Sequence, residues 1–145
     1  MNIIEKTKEI LLRFPKISTV CNDIAIDFAD SVPTSYGLSS TGDSLVFEDV
    51  LGGQTRRHTF LLYASYSGIN DFERSENSAA LSELCVWLSK QIGEEVTTEL
   101  DGVQHSGEII TINAGNGRLY AIENNNIITG MRYQLQIDVQ YTVEF

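Results

Sequence analysis

Proline, cysteine, histidine and positive charge are all scarce in this chain, and each scarcity closes off a class of protein. Two prolines and eleven glycines in 145 residues exclude collagen-like and proline-rich chains. Two cysteines, Cys21 and Cys85, are too few for a disulfide framework. They read as reduced, packed thiols of a protein made in the cytosol, with a single bridge as the alternative. Ten Lys and Arg stand against twenty Asp and Glu, a net charge of −10. Such a chain gains no counterion-release energy from phosphates and is repelled by an anionic membrane surface. Sequence-specific nucleic-acid binding and membrane docking are therefore not expected. No long apolar run is present either. Met1–Phe14 mixes Glu5, Lys6, Lys8, Glu9 and Arg13 into its apolar residues, which argues against a secretory signal.

The remaining composition, 42% hydrophobic and 21% charged, is that of a globular protein. At this length folding buries roughly two-thirds of the unfolded chain's surface, enough for one core. Residues 1–145 are expected to form a single α+β domain.

Asn2 to Phe14 predicts a short helix, because Ile3, Thr7, Ile10, Leu11 and Phe14 share one face. Asn2 and Glu5 fit the N-cap and N3 positions, and Pro15 ends the pattern. Ile24, Ile26 and Phe28 alternate with Asp23, Ala25 and Asp27, one face apolar and the other largely acidic, as in an extended segment. A meander is expected next: strand Tyr36–Ser40, turn Thr41-Gly42-Asp43, strand Leu45–Val50, turn Leu51–Gln54 and a longer strand Arg56–Ser67. Apolar groups on both faces of that strand suit an interior position.

The main helix is expected within Asn70–Ile92. Leu81, Leu84, Cys85, Leu88 and Ile92 form its stripe, with Trp87 beside it and Gly93 at C′. A polar, acidic stretch to Asp101 follows. Strands Glu108–Asn113 and Leu119–Ile122 are expected to join through a turn at Gly115-Asn116-Gly117, with a polar tip at Asn124–Asn126. From Tyr133 to Phe145 apolar and polar residues alternate without a break, which predicts a strand of roughly 40 Å. The expected architecture is a mainly antiparallel sheet packed by one long helix and the short N-terminal helix.

Catalytic chemistry is hard to place on this pattern. His58 and His105 have no Cys, His or carboxylate at a metal-completing spacing. His58 reads as a strand histidine with a hydrogen-bond partner, and His105 as a solvated loop residue. There is no G-x-S-x-G elbow, and no phosphate-binding glycine loop. Cys85 lies inside an apolar stripe and reads as packing. The acids Asp23, Asp27, Asp30, Asp43, Glu48 and Asp49 read as a dispersed, solvated face. No catalytic, cofactor or metal site is assigned. Charge is uneven: residues 16–50 sum to −5 and 68–101 to −6, while 51–67 carry +2. A basic hairpin between acidic surfaces fits subunits that meet head-to-tail, although chance gives the same distribution.

The order of elements, with RRHTFLLYASY at 56–66, GINDFER at 68–74, LSELCVWL at 81–88 and YQLQIDVQY at 133–141, resembles the tail-terminator (tail-completion) proteins of tailed phages and phage-tail-like particles. The resemblance implies an α+β subunit of a homo-oligomeric ring, a hexamer, on the head-proximal end of the tail tube. Such a ring stops tube polymerisation and joins the tail to the head. Its implied partners are the tail tube protein, a head–tail connector or collar protein and, in contractile systems, the sheath protein. The implied location is the virion tail, after assembly in the bacterial cytoplasm. The family supplies no catalytic residues and no cofactor.

Three surfaces are candidates for subunit or tube contacts. Arg56 and Arg57 would meet a neighbour's acidic patch, or are solvated strand-end arginines. Asn124, Asn125 and Asn126 would touch the tube or line the channel, or form a plain turn. Glu94, Glu95, Glu99 and Asp101 would line the lumen or meet the next ring, or form a solvated loop. An acidic lumen would let DNA slide through without gripping it. The rival readings are a head-completion or connector-ring protein, a small-molecule-binding domain or enzyme, and an acidic domain that binds a host protein.

Overall fold

The computed structural model describes residues 1–15, 24–26, 36–66, 79, 82–122 and 131–145. Helix α1 spans Ile3–Leu12, capped by the Asn2 side chain, which accepts from the Glu5 backbone N–H at 2.8 Å. Ile3, Thr7, Ile10 and Leu11 are its buried residues, the face expected from their spacing; the helix ends two residues short of the expected Phe14, which is buried just beyond it.

Among the described residues six strands follow: β1 Ile24–Ile26, β2 Tyr36–Glu48, β3 Gln54–Tyr66, β4 Glu95–Leu100, β5 Val103–Ile122 and β6 Met131–Val143. They form one sheet in the order β1-β2-β3-β6-β5-β4. All neighbours are antiparallel except short β1, which runs parallel to the start of β2. The architecture is α+β and mainly sheet. β3 is interior, as its two apolar faces require.

Several expected boundaries are corrected. Thr41-Gly42-Asp43 is not a turn; β2 runs through it with a register shift between Ser40 and Gly42. Gly115-Asn116-Gly117 is likewise not a hairpin; β5 continues through it with a shift between Gly115 and Arg118. Glycine inside a strand marks a bulge as readily as a reversal. The stretch after Gly93 is not a loop, because β4 and β5 pair from Glu95↔Glu108 to Leu100↔Val103. Their turn is Asp101-Gly102, with φ of 52° and 79°. Two successive positive φ values are the primed turn that Asp-Gly favours. β6 ends at Val143, so Phe145 lies beyond the strand and is half-exposed.

The second helix, α2, occupies residues 82–88 among the described residues, with Ala79 also helical. Residues 70–78, 80 and 81 of the expected span lie outside the described residues, and one long helix is not shown. Its end is corrected: Lys90 and Gln91 donate to the carbonyls of Trp87 and Leu88, three residues back, which tightens and closes the helix. Gly93 is therefore not the C′ residue. Its N–H donates to the Ile109 carbonyl at 2.8 Å and starts the β4–β5 ladder. Ile92 is exposed for the same reason.

The core lies on one face of the sheet. Leu38, Phe60, Leu62, Leu135, Ile137 and Val139 meet Ile10 and Leu11 of α1 and Leu84 and Leu88 of α2. Phe14 and Trp87 join the two helices, with ring centroids 5.5 Å apart. The opposite face carries Arg57, Gln136, Asp138 and Gln140.

Candidate functional site

Where the core face runs toward the β2–β3 turn, apolar packing gives way to a polar cluster. The bulge creates it. Ser40 pairs with Phe60, Gly42 with Thr59 and Asp43 with His58, so Thr41 is the extra residue. One added residue reverses the side-chain alternation, and Ser40 and Asp43 both reach the face that carries His58. Asp43 then collects three donors. Its Oδ2 accepts from the Tyr141 hydroxyl at 2.6 Å and from His58 Nδ1 at 2.9 Å. Its Oδ1 accepts from Arg56 Nε at 2.6 Å. Beyond the imidazole, His58 Nε2 lies 2.5 Å from Ser40 Oγ, and Arg56 Nη1 donates to Gln54 Oε1 at 2.9 Å.

The electrostatics follow from this geometry. Burial alone would push the Asp43 carboxyl up; the hydrogen bonds from Tyr141, Arg56 and His58 outweigh it and hold the group below the ordinary carboxylate range. The Tyr141 phenol is pushed well up, by burial first and then by its bond to Asp43. An ionised Asp43 can only accept, so His58 Nδ1 carries a proton.

Ser40, His58 and Asp43 have the connectivity of a nucleophile triad, which sequence spacing did not reveal. The surroundings differ from those of a working triad. Asp43 is shared with Tyr141 and Arg56, His58 is only 7% exposed, and Ser40 sits within a strand and not on a strained turn. The cluster can bind three strands together: β2 through Ser40 and Asp43, β3 through Arg56 and His58, and β6 through Tyr141. It anchors the distal half of the β2–β3 hairpin to the sheet.

That hairpin is an arm with an apolar surface. Leu45, Val46, Phe47, Val50 and Leu51 are exposed, Val50 completely. Its tip is built by Asp49, whose Oδ1 accepts from the N–H groups of Leu51 and Gly53, and by Gly52 at φ +89°. The β4–β5 hairpin forms a second arm, with Leu100 and Val103 exposed. Both tips leave the same end of the sheet. Gln54 pairs with Val143 at the end of β6, and Glu144 N–H donates to Ser106 O on the other side. Phe145 lies between the arms, its ring 4.7 Å from that of His105, which is therefore a strand residue and not a loop residue. Eight of the thirteen exposed large apolar side chains among the described residues cluster at this one end. This clustering marks the surface as a candidate contact face.

The residues singled out from sequence are dispersed. Arg56 is paired with Asp43, and Arg57 with Asp138 at 2.9 Å on the opposite face. Glu94 is paired with Arg13 at 2.5 Å and Lys6 at 4.0 Å, tying α1 to the approach to β4. Glu95 and Glu99 are exposed on β4, and Asp101 is in the turn of the second arm. Asn124, Asn125 and Asn126 lie outside the described residues, as does Cys21. Cys85 is a free thiol whose pKa burial pushes up.

Two smaller features complete the surface. An apolar groove of about 590 Å³ runs between the helices, lined by Phe14, Pro15, Ser82, Glu83, Val86 and Trp87. Among the described residues no group of three or more His, Cys, Asp or Glu is placed to hold a metal, and no helix is long and apolar enough to cross a membrane. No protein-family model matches the chain, and a search of curated proteins found no match.

Proposed function

We propose that this chain is a structural, non-enzymatic subunit of the tail-terminator type. It forms a ring on the head-proximal end of a phage or phage-like tail tube, stops tube growth and offers the surface that joins head or collar. The observation that carries this reading is the apolar end of the sheet. A monomer gains nothing from two arms and a terminal Phe145 that together place eight large apolar side chains in water, whereas an assembly subunit buries them on contact. The polar cluster supports the same role, because it stiffens an arm that must keep its shape before its partner arrives. On this reading the helix ending at residue 88 is the C-terminal part of one long helix over the sheet, and the acids of β4 and its turn keep the ring from gripping DNA. The protein then resides in the virion tail.

The test is tube assembly in the presence of the purified protein. Capped tubes of limited length support the proposal. Tubes that grow to the same length with and without the protein, and that carry none of it at their ends, refute it.

A further inference from the structure

We propose that the two arms are the two halves of one subunit–subunit contact: the β2–β3 arm of one copy lies along the β4–β5 arm of the next. This rests on the ring reading above and names its joint.

β4 is one edge of the sheet, and at the other edge β2 is flanked only by the three-residue β1. β1 covers only Tyr36–Leu38 of β2, so from Gly42 to Glu48 no strand lies on its outer side among the described residues. On β4, Thr97 N–H donates to the Met1 carbonyl, and no strand is paired outside it among the described residues. A second copy set beside the first therefore brings the β2 edge of one next to the β4 edge of the other. Exposed strand edges of this kind are templates for pairing. Because the two surfaces differ, the contact is head-to-tail, the type that closes into a ring by rotation.

The apolar side chains of one β2–β3 arm, one β4–β5 arm and Phe145 expose roughly 850 Å², taking ~150–200 Å² for a fully exposed large side chain. A stable interface buries about 1,200–2,000 Å² in total, a little over half of it apolar. The apolar requirement is met by the arms together with Phe145.

Charge decides what drives the contact. The acids Glu48 and Asp49 sit at one tip, and Glu99 and Asp101 at the other. Arg56 and Arg57 are engaged by Asp43 and Asp138 of their own chain. The arms are like-charged, so burial of apolar surface drives the joint and salt strengthens it by screening the repulsion. A joint made by Arg56 and Arg57 would weaken with salt.

The experiment uses the full chain and two variants, Leu51→Asp on the first arm and Val103→Asp on the second. Val50→Asp and Leu100→Asp serve as replicates, and unchanged far-UV circular dichroism and melting verify folding. Native mass is read over protein concentration at low and high salt. The wild type is expected to self-associate, more strongly at high salt. Each variant alone has one dead surface in every contact and is expected to associate roughly 30-fold or more weakly. Mixed, the two retain one intact contact and should give a 1:1 heterodimer and nothing larger. The proposal is overturned by a wild type that stays monomeric at every concentration and salt, by a variant that keeps the wild-type oligomer, or by a mixture that yields no heterodimer. Variants that still form rings sink this joint and leave the ring reading standing, which wild-type tube capping decides separately.

Discussion

Replacing Asp43 with alanine should be among the most destabilising single changes on this sheet, although Asp43 is only partly buried. The carboxylate is the shared acceptor for Tyr141, His58 and Arg56. Tyr141 and His58 are 4% and 7% exposed, so water cannot readily replace the lost acceptor. Each stranded buried donor costs about 1–3 kcal/mol; Arg56 is partly exposed and can rehydrate. The expected loss is about 4 kcal/mol, a fall in melting temperature of about 8–16 °C for a chain of this size. Asp138→Ala is the control. It breaks the Arg57 pair on the opposite face, whose side chains are 44% and 24% exposed, and should cost less than about 1 kcal/mol. Chemical denaturation followed by circular dichroism gives both values. An Asp43→Ala loss no larger than that of Asp138→Ala would refute the view that the cluster anchors the arm. A double-mutant cycle with Tyr141→Phe should show strong non-additivity, about 0.5–3 kcal/mol.

Three further outcomes follow from the same geometry. Asp43 is held below the ordinary carboxylate range, so its contribution is fully present above about pH 4 and is lost as pH falls through its lowered native value. Asp43→Asn should remove that part of the acid unfolding limb, and an unchanged acid limb would count against the cluster. Gly107→Ala should destabilise by about 1–3 kcal/mol or more, because a Cβ there would sit 1.7 Å from the Thr142 carbonyl oxygen of β6; a variant melting with wild type would contradict the strand register. Asn2→Ala should cost about 0.5–2 kcal/mol by removing the cap of α1, and an unchanged melting temperature would show the cap to be idle.

Legibility in the sequence followed a simple rule: periodic elements showed, and irregular ones did not. The buried face of α1 and the alternation of β6 were evident because their spacing alone places them. The bulge at Thr41 was hidden because Thr-Gly-Asp has turn composition, and only pairing with β3 shows that the strand continues. The same ambiguity concealed the length of β5 at Gly115. The β4–β5 arm was missed although Asp101-Gly102 is a strong reversal signal, because the acidic, threonine-rich flanks masked the strands. The cluster joins residues up to 98 positions apart and depends on the bulge, so no local motif announced it. The arginines and Glu94 attracted notice as free charges, yet the fold pairs them within the chain. Nothing in the local sequence marks the apolar residues of the arms as exposed, because exposure is a property of the sheet's end.

The most direct test of the central claim is the native mass and negative-stain image of the wild-type protein at high concentration and high salt. The account predicts a closed ring of about six copies, built by head-to-tail contact. A protein that remains a single copy under all these conditions would contradict it.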